Sequence, residues 1–309
     1  LFDMSELSFV NNTWGFLTAG STVRFNKNGG AQEVPFKPLA PTDIVCYLNY
    51  HNLILDSAGT KTITAVAGNS LRVINNLNIT NSADFVSNGF NIELNGNWVN
   101  SGGYFHAQNN TVIMNSPVAS VSTFITSGST TNNPFANLQI SGSGLVKPLD
   151  NIKIDNNLNI SSGSELRLDT IKMEIRGNWF NNGGTFTSGT SVVNFYGTVA
   201  QTLSKTAGTE NFYKLNLDNS LGLNINTAGA NSEGGIIVND SLNLLHGNIS
   251  GRNRQVTALG VITRTGGGFI DAELRKNLWN NSVLGAKLVE KASVKYVVYR
   301  EYHGDKNEV

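Results

Sequence analysis

Apolar residues recur at every second position over long stretches of this chain. Phe90, Ile92, Leu94 and Trp98 alternate with polar neighbours, and Ile171, Met173, Ile175 and Trp179 repeat the pattern. A period of two marks a strand with one face buried. No window of similar length keeps a helical i, i+3, i+4, i+7 stripe, so the pattern predicts an all-β protein. The spacing of strand anchors then selects an architecture. Val112, Leu138, Leu158 and Trp179 follow one another at steps that fall within the roughly 20 to 29 residues of one solenoid coil. The expected fold is therefore an elongated parallel β-helix, or β-solenoid. With a strand added about every 4.8 Å, roughly ten coils would make a rod about 50 Å long.

A second periodicity lies over the first. The phrase running from Gly96 through Asn97, Trp98, Asn100, Gly102 and Gly103 to Phe105 returns from Gly177 to Phe186, a repeat of about 81 residues. Asn75-Asn76-Leu77-Asn78-Ile79-Thr80 returns at the same interval as Asn156-Asn157-Leu158-Asn159-Ile160-Ser161. A Phe-to-Val interval of seven marks all three copies, as Phe16 to Val23, Phe105 to Val112 and Phe186 to Val193. These phrases divide residues 1–250 into repeats of about 1–80, 81–161 and 162–250, each of three or four coils. Trp14 belongs to a divergent first copy. Pro35, Pro38 and Pro41 are half of the six prolines, and proline is excluded from central strands, so 27–48 reads as a loop thrown out from the solenoid. From about Gly251 the repeated phrases stop. Residues 251–309 hold ten of the 22 Lys and Arg, and read as a more basic cap or the start of a next domain. The alternative architecture is a row of tandem β-sandwich domains, because about 80 to 100 residues is also an immunoglobulin-like size. Neither Pro-rich seams nor a cysteine pair favours it.

Composition narrows the partners. Charged residues make up 14% and the formal net charge is zero, which excludes a strongly basic nucleic-acid or anionic-membrane surface. The polar surface comes from Asn, Ser, Thr and Gly, residues suited to turns. Cys46 is the only cysteine, so neither an internal disulfide nor a multi-cysteine zinc site can form. No apolar run approaches the roughly 20 residues of a membrane-spanning helix. A start at Leu1, without Met or a leader, reads as a processed or trimmed piece of a soluble protein.

Candidate chemistry is sparse. Asn75, Asn76, Asn78, Asn156, Asn157 and Asn159 have the amide oxygens of carbohydrate or calcium ligands, but stacking of asparagines in successive coils explains them without a ligand. Trp98, Trp179 and Tyr104 are possible sugar-stacking platforms, although the alternation turns Trp98 inward. His51, His106, His246 and His303 are scattered, and no nucleophile elbow, phosphate loop or dinucleotide fingerprint occurs. The surviving enzyme reading is a polysaccharide lyase or hydrolase using Asp150, Asp155 and Glu165 with Lys147 and Lys153, the densest charged group in the repeats. A solvated face accounts for the same residues. No catalytic, cofactor-binding or metal-binding residue is therefore expected.

The order Gly-Asn-Trp, Asn-Asn-Gly-Gly-Thr-Phe, Val-x-Phe, Phe-x-x-Leu-x-Leu and Asn-Asn-Leu-Asn-Ile resembles the repeats of large, secreted, adhesin-like surface proteins of Bacteroidetes-type bacteria, often exported by type IX secretion. Gly268-Phe269-Ile270-Asp271-Ala272-Glu273-Leu274 is similar to the segment that follows the last repeat in such chains. The resemblance implies an extracellular or cell-surface structural or adhesive element, not an enzyme. It implies surface glycans or other surface proteins as partners, and the secretion machinery during export. Glycan-binding modules are the further alternative. It also implies O-glycosylation at Asp-Ser/Thr-aliphatic triplets, which here select Ser57, Thr170 and Ser241.

Overall fold

The computed structural model describes residues 2–3, 20–35, 49–64, 70–118, 122–227 and 234–276. The chain is all-β and helix-free among these residues, wound into a parallel β-solenoid of about 10 turns. A regular coil contributes a strand to three faces in succession. One coil lays down Leu77–Thr80, Ala83–Val86 and Asn91–Leu94. The next places Trp98–Ser101, Tyr104–His106 and Thr111–Ser116 on top of them. The register joins Leu77 to Trp98, Asp84 to Tyr104 and Ile92 to Val112, all parallel.

The period-two pattern turns alternate side chains into the coil, and stacking turns those side chains into columns. On the third face one column runs Ile92, Val112, Leu138, Leu158, Trp179, Leu203 and Ile225. The anchor steps counted in the sequence, from Val112 to Leu138, Leu158 and Trp179, are the register of this column. Every member is buried, and one continuous apolar cluster extends from Val23 to Ile270. Towards the far end, single strands bend over two faces. Thr209–Asp218, Gly235–His246 and Ile249–Ala258 each do so, with a register shift at Phe212/Lys214 where the first turns its corner.

Two expected boundaries change. Part of the 27–48 loop is strand: Ala31–Pro35 pairs along Gly59–Thr64. It is the end strand of its face among the described residues, so Pro35 lacks an N–H where no second neighbour needs one. Residues 36–48, with Pro38, Pro41 and Cys46, lie outside the described residues. Nor does the solenoid stop near 250, because Ile249–Ala258, Val261–Arg264 and Ile270–Lys276 continue the parallel stack. The repeated phrases end there while the coil continues, since strand pairing needs only alternation and not the phrase. Trp14, Phe16, Trp279, His303 and the basic stretch beyond 276 lie outside the described residues.

Candidate functional site

The repeated phrase is a corner device, and each of its positions has a physical task. A Cβ on Gly96 or Gly177 would stand 2.3 or 2.2 Å from a backbone oxygen of the preceding coil, so only glycine fits. Asn97 and Asn178 then act as spacers between coils. The Asn76 Oδ1 accepts from the Asn97 N–H at 2.9 Å, and the Asn97 Oδ1 accepts from the Phe124 N–H at 2.8 Å. One repeat later Asn137, Asn157 and Asn178 do the same, ending on the Thr202 N–H at 2.8 Å. Asn75 donates to Asn52 and Asn182 donates to Asn159, so these asparagines bond to successive coils. Gly102 and Gly183, with φ of 93° and 96°, make the left-handed turn that follows.

The tryptophans are core. Trp98 is 1% and Trp179 0% exposed, which removes both as sugar platforms. Tyr104, 44% exposed, separates from them and stays on the surface.

The charged group does not gather into one site. Asp150 caps a corner, accepting from the Ser127 N–H at 2.8 Å, the Ser127 hydroxyl at 3.1 Å and the Gly128 N–H at 2.8 Å. Asp155 accepts from the Tyr196 hydroxyl at 3.2 Å, and burial together with the Asp155 charge raises the Tyr196 pKa. Glu165 pairs with Arg167 at 2.8 Å, and Lys147 with Asp169 at 2.5 Å. Among the described residues no group of three or more His, Cys, Asp and Glu is disposed to hold a metal.

The three O-glycosylation candidates have different surroundings. Ser57 is half-buried at a corner with φ 66°, directly after Asp56, a buried carboxylate that accepts from Arg24, Thr80 and Asn81. Ser241 is half-buried within Gly235–His246, with Lys214 and Val261 as its register partners on either side. Thr170 alone is exposed, on the turn behind Asp169.

A concavity lies on the second face. The second face is interrupted after Tyr104–His106, where the following coil supplies only an isolated bridge between Phe135 and Ile154. The segment between Ser122–Thr126 and Asn137–Gly142 crosses this gap. It is pinned by Asp150 at one end and, towards the other, by Asn133, whose Oδ1 accepts from the Phe105 N–H at 2.7 Å. A groove of about 430 Å³ results, lined among others by Tyr104, His106, Gln108, Thr131, Asn132 and Asp155. His106 is held by Asp84 at 2.5 Å. An exposed ring flanked by amides, a hydroxyl and a carboxylate is suited to a polyhydroxylated ligand. The sequence names Tyr104 as a sugar platform and Asp155 in a charged group, sets His106 among scattered histidines, and gives no sign of Gln108, Thr131 or Asn132, because only the missing strand brings them together.

No protein-family model, no curated protein and no solved structure matches this chain.

Proposed function

We propose that the chain is a stiff, non-catalytic structural or adhesive element of a secreted bacterial cell-surface protein. The observation that carries this reading is the unbroken core from Val23 to Ile270, stacked coil on coil. In a solenoid each coil touches only its neighbours, so length is gained without loss of stiffness, as a spacer requires. The sequence resemblance supplies the extracellular setting, the export route by type IX secretion, and surface glycans or surface proteins as partners. Thr170 is the most accessible of the proposed O-glycosylation sites. Small-angle X-ray scattering on the purified chain tests the mechanical part. A uniform rod of constant cross-section supports it, and a beaded, flexible profile refutes it.

The groove at Tyr104 favours a second reading, a glycan-binding module. An aromatic face with convergent polar groups binds sugar rings by stacking and hydrogen bonding. Glycan-array screening of the wild-type chain beside Tyr104→Ala is the test. Binding lost in the variant supports the groove, and binding that survives unchanged refutes it.

A further inference from the structure

We propose that Lys205 and Asn181 join in an intramolecular isopeptide bond, with Glu210 carrying the protons. Asn181 and Lys205 are register partners on the adjacent strands Trp179–Asn182 and Gln201–Lys205. Alternation turns both inward, in line with buried Trp179 on one strand and buried Gln201 and Leu203 on the other. Glu210, 1% exposed, enters from the strand Thr209–Asp218 and lies between them. Its Oε1 accepts from the Lys205 Nζ at 3.0 Å. Its Oε2 accepts from the Asn181 Nδ2 at 2.7 Å and from the Trp179 Nε1 at 3.2 Å. The rings of Trp179, Phe186 and Phe212 wall this site, with Trp179 centroids 4.8 and 5.4 Å from the two phenylalanines.

An amine whose side chain is 18% exposed, a buried carboxamide and a buried bridging carboxylate are the reactants and the acid–base group for amide exchange. Glu210 takes a proton from the Lys205 ammonium, freeing the amine to attack the Asn181 Cγ. Negative charge then develops on the Asn181 Oδ1, which already accepts from the Gly183 N–H at 3.2 Å. Glu210 passes its proton to the Nδ2 that it touches, and the Cγ–Nδ2 bond breaks. The new Cγ–Nζ bond sheds its extra proton, and nitrogen departs as ammonium. Glu210 ends as a carboxylate, and neither oxidant nor co-reactant is consumed.

The preceding repeat is an internal comparison. Asn100 stands where Asn181 does, and its Oδ1 likewise accepts from a glycine N–H, that of Gly103, at 2.9 Å. The facing strand continues past Thr126 to Ser127 in place of a lysine, and Asn133 precedes Phe135 by two positions, as Glu210 precedes Phe212. Amine and acid are both missing there, and the buried Asn100 Nδ2 has no partner. Of these two copies, the bond is therefore assigned only to the one at 162–250.

Intact-mass spectrometry of the purified, denatured wild-type chain tests this directly. The expected mass is lower than the sequence mass by one ammonia. Chymotryptic mapping should give one branched peptide joining the segments that bear Asn181 and Lys205, and trypsin should fail to cleave after Lys205. A full sequence mass overturns the proposal. So does an ammonia loss confined to a linear peptide, the mark of a succinimide at Asn181. Lys205→Arg and Glu210→Gln should each restore the full mass while keeping the strand signal in circular dichroism. A branched peptide in Glu210→Gln would overturn the role given to Glu210.

Discussion

Trp98 and Trp179 stand on different faces of the solenoid, although each meets a phenylalanine edge-on at a centroid distance of 4.8 Å. Trp98 lies in a column with Leu77 and Ile125, Trp179 in one with Leu158 and Leu203. Three coils back from Trp179, through Leu158 and Leu138, is Val112, and Val112 lies two strands beyond Trp98 in its own coil. The interval from one tryptophan phrase to the next is thus three coils plus two of the three faces. Even the third ring is reproduced, since Phe135 lies 5.3 Å from Trp98 and Phe212 lies 5.4 Å from Trp179.

The close approach at Gly177 makes a steric prediction. A Cβ there would meet the Asn156 carbonyl oxygen at 2.2 Å, and backbone cannot move aside without disturbing the coil beneath. Gly177→Ala should destabilise by about 1–3 kcal/mol, an overpacking cost. Gly267→Ala, with nothing within 4 Å of its Cβ, should change stability by no more than about 0.5 kcal/mol. Urea unfolding followed by circular dichroism checks the pair.

Asparagines in one neighbourhood should differ in weight according to what they hold. Asn157→Ala removes the acceptor of the Asn178 N–H, leaving a partly buried donor unpaired, at a cost of about 1–3 kcal/mol. The bond from Asn182 to Asn159 is exposed, and Asn159→Ala should stay within about 0.5 kcal/mol of wild type. Equal losses in the same unfolding assay would contradict the ladder.

Hydrogen exchange should reveal how locally the structure responds. Asp56 is buried and accepts from Arg24, Thr80, Asn81 and the Ser57 N–H, so Asp56→Ala leaves four donors short of a partner. The expected cost is about 1.5–3 kcal/mol, moderated because the Arg24 side chain keeps access to water. Faster exchange should be confined to Thr22–Phe25, Asn52–Leu55 and Leu77–Thr80. Exchange in Leu223–Thr227 should be unchanged, since distant coils share no contacts.

Alkaline titration probes Tyr50 and Tyr196. Burial raises the pKa of both above 10.0, with the Asp155 carboxylate adding to the effect at Tyr196. A phenol raised in the folded state contributes stability that is complete below pH 10.0 and lost as the pH climbs above it. Phenolate absorbance should therefore lag in the native chain, with these two tyrosines ionising only as the chain unfolds. Complete titration at ordinary tyrosine values without loss of strand signal would refute this.

Much of the fold is legible because alternation and coil length are written into the order of residues. The register of Val112, Leu138, Leu158 and Trp179 can be counted along the chain without any coordinate. The corner phrase is legible as a repeat, but not its place around the coil. Identical phrases make identical local corners, while coil lengths vary, the step from Ile92 to Val112 being shorter than the step from Val112 to Leu138. Pro35 misleads because proline counts weigh a whole segment, and only its place at the end of an outer strand resolves the conflict. Lys205 and Glu210 are hidden because a charged residue in a sequence suggests surface. The alternation Gln201, Leu203, Lys205 carries the signal that this lysine points inward.

A repeat of three coils and two faces has a consequence for any longer array of such units. Each added copy would lengthen the shaft and also turn everything beyond it by two-thirds of a revolution about the long axis. Surface features would follow a spiral staircase and regain their first compass bearing only after three copies. Adding or removing one copy would therefore redirect whatever the tip presents as well as change how far it reaches.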